Sequence, residues 1–359
     1  MNIFDYVDYY KDYTFLDKSF NEVDNVIFST LIYINYNNII STNNKNKLTI
    51  EQVYEEYRKS YNYKNDKKNI IAVREALKLF KKVYKTKRYK DILMYNYKYI
   101  GNESSQFSAV TYEINKDLCY VAFEGTDQLI SGWKEDCKMA YQFPVDAHKY
   151  AIKYLNNNFT FNLKRIIVGG HSKGGNLALV SSMCSNYFVK RKIINIYSND
   201  GQGLRKAQIE SKKYESIKGR FIHIIPQFSI VGLLLRHDKN YTVIHSVVPG
   251  ALAHCTSYWK IEDDHFVRDK LSPFSEILDK GIITWLDKYD DEKREKFVNS
   301  VFKILEDNNV HSLIQLKKEI KLIFKVLKSS RDIDPMVNEM MKDLLKILTD
   351  TNKEFFWIK

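Results

Sequence analysis

The chain has 359 residues, and its 44% hydrophobic and 14% aromatic content excludes disorder as the main state. No apolar run approaches the ~18 residues of a membrane span. Four cysteines without a CxxC pair argue against a zinc site or a disulfide framework, and Met1–Asp8 lacks the features of a secretory signal. We therefore expect a reduced, cytoplasmic protein. The net charge of +12 is concentrated, because residues 61–100 hold twelve basic and three acidic residues, a net of +9.

Hydrophobic periodicity predicts helices and strands that alternate along most of the chain. A capping box formed by Ser19 and Glu22 is expected to start the first helix. The later pattern is typical of an α/β protein with a mostly parallel central sheet flanked by helices. From Asp269 onward the period is helical only. The predicted helices cover residues 19–36, 69–84, 146–156 and 174–187, and the predicted strands cover residues 91–99, 107–114, 118–123, 165–168, 193–197, 221–225 and 241–248.

The basic excess falls on a predicted helical region from Asn69 to about Lys90, and it has two interpretations. Its apolar positions, which include Ile70 and Phe80, line one face, and lysines occupy the other. Either the apolar face packs into the core and the lysines face water, or the lysines also make weak contact with an anionic membrane surface. The rest of the chain is nearly balanced and no nucleic-acid-binding motif accompanies the helix, which argues against nucleic acid as a partner.

The most informative motif is Gly170-His-Ser-Lys-Gly, a G-x-S-x-G pattern between an apolar strand and an amphipathic helix. In a nucleophile elbow the glycines allow a sharp turn, and the serine is exposed above the sheet. The strand–turn–helix context makes Ser172 the candidate nucleophile. The alternative is an ordinary tight turn with a capping serine.

A serine nucleophile requires a base, and the base requires an acid that orients it. His254 follows the last predicted strand, just past Pro249-Gly, and is our candidate base, with His265 as the alternative. Asp200 lies at the end of the strand over residues 193–197, where site residues collect in parallel sheets. It is our candidate acid, and Asp238 is the alternative.

An oxyanion hole needs two backbone N–H donors. One is expected from Lys173, the residue after the nucleophile. The other is expected from Thr126, in the turn after the strand over residues 118–123.

Several runs together carry a resemblance to known families. The runs Phe20-Asn-Glu-Val-Asp, Gly132-Trp-Lys-Glu-Asp, Gly170-His-Ser-Lys-Gly-Gly-Asn and Asp200-Gly-x-Gly resemble the bacterial Mbeg1-like proteins. More distantly, the chain is similar to the class 3 lipases. The resemblance covers roughly residues 1–310 and implies an α/β-hydrolase fold with esterase- or lipase-like chemistry at Ser172.

The sequence departs from the class 3 lipases at Glu124, at Lys173 and in the position of the acid. Those proteins usually carry arginine where Glu124 stands, and a bulky apolar residue where Lys173 stands. Their acid normally lies in the stretch that matches Ile225-Pro-Gln-Phe-Ser-Ile, which has no carboxylate here. This difference favours Asp200, one strand earlier.

The residues and the resemblance together predict a serine hydrolase of carboxylic esters. Ser172, His254 and Asp200 would form the triad, and the reaction would need no metal or cofactor. We expect a catalytic domain over residues 1–268 and a helical C-terminal extension over residues 269–359. The alternative is a non-catalytic or membrane-surface binding protein on a hydrolase scaffold.

Overall fold

A computed structural model describes residues 1–43, 45–60, 69–102, 105–126, 130–308 and 334–356. The helices are α1 Ile3–Tyr9, α2 Glu22–Leu31, α3 Ile50–Lys59, α4 Ile71–Val83, α5 Ile130–Lys138, α6 Asp146–Phe159, α7 Lys173–Cys184, α8 Tyr187–Lys192, α9 Lys206–Ile209, α10 Lys212–Glu215, α11 Pro273–Lys288, α12 Asp291–Asp307 and α13 Pro335–Phe356. The strands are β1 Leu48–Thr49, β2 Leu93–Gly101, β3 Gln106–Asn115, β4 Leu118–Phe123, β5 Arg165–His171, β6 Ile193–Asn199, β7 Phe221–Pro226, β8 Tyr241–Ile244, β9 Ile261–Glu262 and β10 His265–Phe266.

Strands β1 to β8 form one eight-stranded sheet in which every strand lies beside its sequence neighbour. Strands β1 to β4 pair antiparallel, and β4 to β8 pair parallel. The parallel half follows from the intervening helices, because a parallel pair needs a long crossover. All carboxyl ends of β4 to β8 therefore meet at one edge of the sheet.

The sheet is covered on both faces. Along β4, Cys119, Val121 and Phe123 belong to one hydrophobic cluster, whereas Tyr120 and Ala122 belong to the other. This alternation is the period of two expected for a strand that is buried on both sides. Helices α1 to α4 supply the cluster on the Tyr120 side, and α5 to α8 supply the opposite one. The predicted fold class is confirmed as an α/β-hydrolase-like sheet flanked by helices.

The C-terminal helices pack onto the same face as α5 to α8. Trp285 of α11 and Phe297 and Phe302 of α12 belong to the cluster that contains Val168 of β5. The helical character predicted after Asp269 matches α11, α12 and α13 within the described residues. The division into two domains after residue 268 stays a prediction. In the described part of the chain, no helix is long and apolar enough to cross a membrane.

Several predicted boundaries were wrong. The first long helix begins at Glu22, and Asn21 and Asp24 form its capping box in place of Ser19 and Glu22. The Asn21 side chain accepts the first free amides, because asparagine is a strong N-cap residue. The basic helical region predicted to reach Lys90 ends as a helix at Val83. The helix after the candidate nucleophile ends at Cys184, and a separate helix begins at Tyr187.

Candidate active site

Ser172 lies at the carboxyl edge of the sheet, in the turn between β5 and α7. Its φ is 58°, an unfavourable value for a residue with a side chain. The turn is very tight, since a Cβ on Gly170 would lie 2.3 Å from the Gly174 carbonyl carbon. A Cβ on Gly174 would lie 2.1 Å from the Phe123 carbonyl oxygen. The two glycines of the motif are therefore required by close backbone contact, as a nucleophile elbow demands.

Asp200 and His254 are in direct contact. Asp200 follows β6, is fully buried, and its Oδ2 lies 2.6 Å from Nδ1 of His254. The Ser229 hydroxyl and the Gly232 amide donate to the other carboxylate oxygen. Burial alone would raise the pKa of Asp200, but the hydrogen bonds from His254 and Ser229 leave that pKa below its usual value. A charged carboxylate held this way fixes the tautomer and orientation of His254.

Ser172 and His254 line one cavity, which has a volume of about 350 Å³. Thr126 lines it as well, so three of the five predicted site residues share this space. Apolar and aromatic side chains form much of the remaining wall, among them Tyr33, Ile70, Ile71 and Trp133. A cavity of this size that combines apolar surface with convergent polar groups is typical of a small-molecule site.

The alternative acid and base lie elsewhere. Asp238 forms an ion pair with Lys218 at 3.5 Å, and it does not line the cavity. His265 is exposed in β10 beside Asp264. A further histidine, His311, lies outside the described residues.

Sequence reasoning missed the role of His171, which lies directly beneath His254. Its Nε2 donates to the His254 carbonyl at 2.8 Å, so its Nδ1 accepts the Tyr33 hydroxyl at 2.9 Å. The two imidazole rings are 4.3 Å apart between centroids. Burial lowers the pKa of His171 to about 3, so this ring is neutral. His171 therefore supports the loop that carries the candidate base without adding a like charge. Its position inside the G-x-S-x-G motif was the only available signal.

The two candidate oxyanion residues are joined behind the turn by a buried charge network. The ammonium of Lys173, with no exposed side-chain surface, lies 2.6 Å from Glu135 Oε2 and 3.0 Å from the Gln106 carbonyl oxygen. The neighbouring Asp136 accepts the Thr126 hydroxyl at 2.5 Å and lies 3.7 Å from Lys173. Burial raises the pKa of Asp136 to about 6. This network explains why Lys173 occupies a position where an apolar residue is usual: α5 supplies its counter-charges.

Glu75 is a second residue that sequence reasoning did not find. It lies on α4, lines the same cavity, and accepts the Ser257 hydroxyl. Burial raises its pKa, and the nearby His254 acts in the opposite direction. No pattern in the sequence marks Glu75, because its proximity to His254 arises only when α4 packs beside the loop over residues 250–258.

No curated protein matches the chain. Among solved structures, the chain is similar to the crystal structure of M37 lipase, with 14% identity over 72% of this chain and 78% of that chain and a TM-score of 0.33. A family model described as Mbeg1-like matches residues 83–303, which is more than half of the chain and includes Thr126, Ser172, Asp200 and His254. Because this model matches more than half of its residues, the chain belongs to the Mbeg1-like family.

Proposed function

We propose that this protein is a serine hydrolase that cleaves carboxylic esters through a Ser172–His254–Asp200 triad. The observation that carries the proposal is the 2.6 Å contact between the buried carboxylate of Asp200 and His254, beside a cavity that both His254 and Ser172 line. A buried acid bound to one imidazole nitrogen leaves the other nitrogen for the serine. The positive φ of Ser172 adds support, because such strain concentrates at functional sites.

In the proposed reaction, the Ser172 hydroxyl attacks the acyl carbon and His254 Nε2 takes its proton. Asp200 holds the Nδ1 proton and stabilises the imidazolium that forms. The Thr126 and Lys173 amides donate to the oxyanion of the tetrahedral intermediate. His254 then protonates the leaving alcohol, and a water activated by the same imidazole releases the acid and restores the serine. Each step uses side chains, backbone amides and water.

The network behind the turn supports the two oxyanion donors. Thr126 is bound through its hydroxyl to Asp136, and Lys173 through its ammonium to the neighbouring Glu135. Both donors are therefore tied to α5, which keeps the spacing between their amides constant. Such preorganisation matters because the donors must already face the developing charge.

The proposal is tested with purified protein, a short-chain p-nitrophenyl ester and a fluorophosphonate probe. We expect the wild type to hydrolyse the ester and to be labelled at Ser172. Ser172→Ala should abolish both while its circular dichroism spectrum stays unchanged. Ser216→Ala, at an exposed serine outside the cavity, is the matched control and should retain both. A wild type that hydrolyses no ester in a panel and resists the probe would overturn the proposal.

The proposal includes a cytoplasmic location. None of the four cysteines, all of them described, is joined in a disulfide, which suits a reducing compartment.

A further inference from the structure

A second cavity opens beside the one that contains Ser172. Its volume is about 680 Å³, and Ile71, Arg74 and Glu75 line both cavities. The first turn of α4 is therefore the shared wall between them. A substrate whose ester group lies at Ser172 could therefore extend the rest of its structure into this larger cavity.

Three basic side chains line the second cavity: Arg74, Lys78 and Lys260. All three side chains are exposed, and none forms an ion pair with a carboxylate among the described residues. The Lys78 ammonium lies 4.1 Å from the centre of the Phe4 ring, which fixes it at the cavity wall.

The two acidic side chains of the same cavity already have partners. Asp5 accepts the Asn2 backbone amide in the capping box of α1. Glu75 accepts the Ser257 hydroxyl, and burial raises its pKa. The lining of the cavity therefore holds three basic and two acidic side chains, a net charge of +1.

We propose that the ester substrate carries a phosphate group, which binds in the second cavity to Arg74, Lys78 and Lys260. This inference rests on the proposed function and adds the substrate class. Arginine and lysine are the usual phosphate partners, and arginine can donate two parallel hydrogen bonds to it. Arg74 lies on the shared wall, so the phosphate would be held close to the ester, which passes into the smaller, more apolar cavity. The Phe4, Ile71 and Val247 side chains give the larger cavity apolar walls for a short linker.

The first experiment compares two soluble esters that differ only in the phosphate: dibutyroylglycerol and dibutyroylglycerol 3-phosphate, both as monomers. We expect the phosphorylated ester to have the higher kcat/KM by about tenfold or more, mainly through KM, as one charge-assisted hydrogen bond contributes. Equal values, or a preference for the neutral ester, would overturn the proposal.

Variants test which residues are responsible for the preference. Arg74→Gln and Lys78→Gln should each lower the ratio of the two kcat/KM values by about tenfold. Lys116→Gln makes the same charge change in the turn between β3 and β4, outside both cavities, and should leave the ratio unaltered. A ratio that falls equally in all three variants would indicate a general effect of net charge and would contradict the assignment.

Two further measurements sharpen the test. One distinguishes a phosphate bound in the cavity from a phosphate on a membrane surface, and the other distinguishes failure of the phosphate site from failure of the proposed hydrolase activity. If a preference appears only with phosphatidate vesicles and never with the monomeric ester, surface attraction explains it and the cavity assignment is wrong. Calorimetric titration with glycerol 3-phosphate needs no catalysis. Binding of glycerol 3-phosphate that is lost in Arg74→Gln would support the phosphate site even if no ester were hydrolysed. Ester hydrolysis with neither such binding nor a preference for the phosphorylated ester would overturn the phosphate site and leave the proposed function standing.

Discussion

Two residues with strained backbones lie at adjacent strand ends, Ser172 with φ 58° and Asp200 with φ 50°. Such a conformation costs about 1–3 kcal/mol per residue and persists only where the surroundings enforce it. Here the Ser172 amide donates to the Asn199 carbonyl at 3.0 Å, and the Asp200 amide donates to the Ile224 carbonyl at 2.7 Å. The sheet thus holds both residues at its carboxyl edge, where Asp200 reaches His254.

At the residue scale, the proposed triad predicts a ranking of variants. His254→Ala should reduce kcat about as much as Ser172→Ala, roughly 10⁴–10⁶-fold, because the two act as a unit. Asp200→Asn should reduce kcat by about 10⁴-fold, because it disturbs the tautomer of His254. The ranking is checked by measuring kcat for ester hydrolysis by each variant, after its folding has been verified. Asp238→Asn and His265→Ala are the controls; if either were more damaging than its counterpart, the acid or base assignment would be wrong.

The buried Lys173 predicts a stability effect that can be separated from chemistry. Lys173→Met should destabilise the protein by about 3–5 kcal/mol, because it leaves Glu135 buried without its partner. The double variant Lys173→Met/Glu135→Leu should recover part of this loss. Urea unfolding measures both values. A single variant as stable as the wild type would contradict the importance of the pair.

At the scale of elements, α2 fixes the back of the elbow through polar side chains. Asn25 donates to the Asn199 side chain at 2.8 Å, and Asn199 donates to the Gly170 carbonyl at 3.1 Å. Asp24, in the same helix, forms a buried two-point pair with Arg88 at 2.9 and 2.6 Å. The Phe20–Asp24 run that contributes to the family resemblance therefore has a structural reason: it anchors the helix beneath the site.

The basic residues of α4 and of the segment just after it lie on two different surfaces. Its apolar residues Val73, Leu77 and Phe80 are buried in the core, as one of the two sequence interpretations expected. Arg74 and Lys78 line the second cavity, whereas Lys85 and Lys87, just beyond the helix, are exposed away from both cavities. Contact with a membrane surface stays a prediction, and with the apolar face buried it would have to be electrostatic.

We predict weak co-sedimentation with anionic vesicles and none with neutral ones. Each lysine near an anionic surface contributes about 1 kcal/mol, and this attraction is screened by salt. Lys85→Gln/Lys87→Gln should therefore weaken vesicle binding, and high salt should abolish it. Lys116→Gln/Lys153→Gln removes the same two charges at exposed positions elsewhere and controls for net charge. Binding that ignores lipid charge or salt would contradict an electrostatic contact.

At the scale of the whole molecule, three buried histidines link stability to pH. Burial lowers the pKa of His148 to about 4, of His171 to about 3 and of His223 to about 4. In the unfolded chain these groups titrate near 6.5. Below that pH the unfolded chain binds protons that the folded protein does not, so acidification favours unfolding. Asp136 acts in the opposite direction, because its raised pKa lets the folded protein bind a proton first.

We therefore predict that the free energy of unfolding falls as the pH is lowered from about 6.5 toward 4. Each buried histidine should contribute up to about 1.4 kcal/mol per pH unit. Urea unfolding across this range measures the slope, and His223→Gln should reduce it by one histidine's share. His265→Gln, at an exposed position, should leave it unchanged. Stability that is flat or rises on acidification would contradict this origin.

The sequence by itself determined the order of strands β2 to β8 and the tight turn at Ser172. Strand β4 was predicted with its observed bounds, and the elbow at Ser172 was readable because its glycines and flanking elements are contiguous in the chain. Local patterns carry such information because hydrophobic period and turn chemistry act over a few residues. Asp200 and His254 were also chosen from the sequence, since strand ends are readable and both follow predicted strands, and their catalytic roles stay a prediction.

Only the tertiary structure decided which distant groups meet. Three contacts depend on how α4, α5 and the loop over residues 250–258 pack against the sheet. They are the pairing of Lys173 with Glu135, the support of His254 by His171, and the position of Glu75 beside the cavity. The same packing brings Asp200, and not Asp238, into contact with His254, although both follow strands. These contacts join residues far apart in sequence, so each one closes a long loop at a cost in chain entropy. Burial of apolar surface across the whole fold offsets that cost, and a local sequence pattern contains no information about this burial.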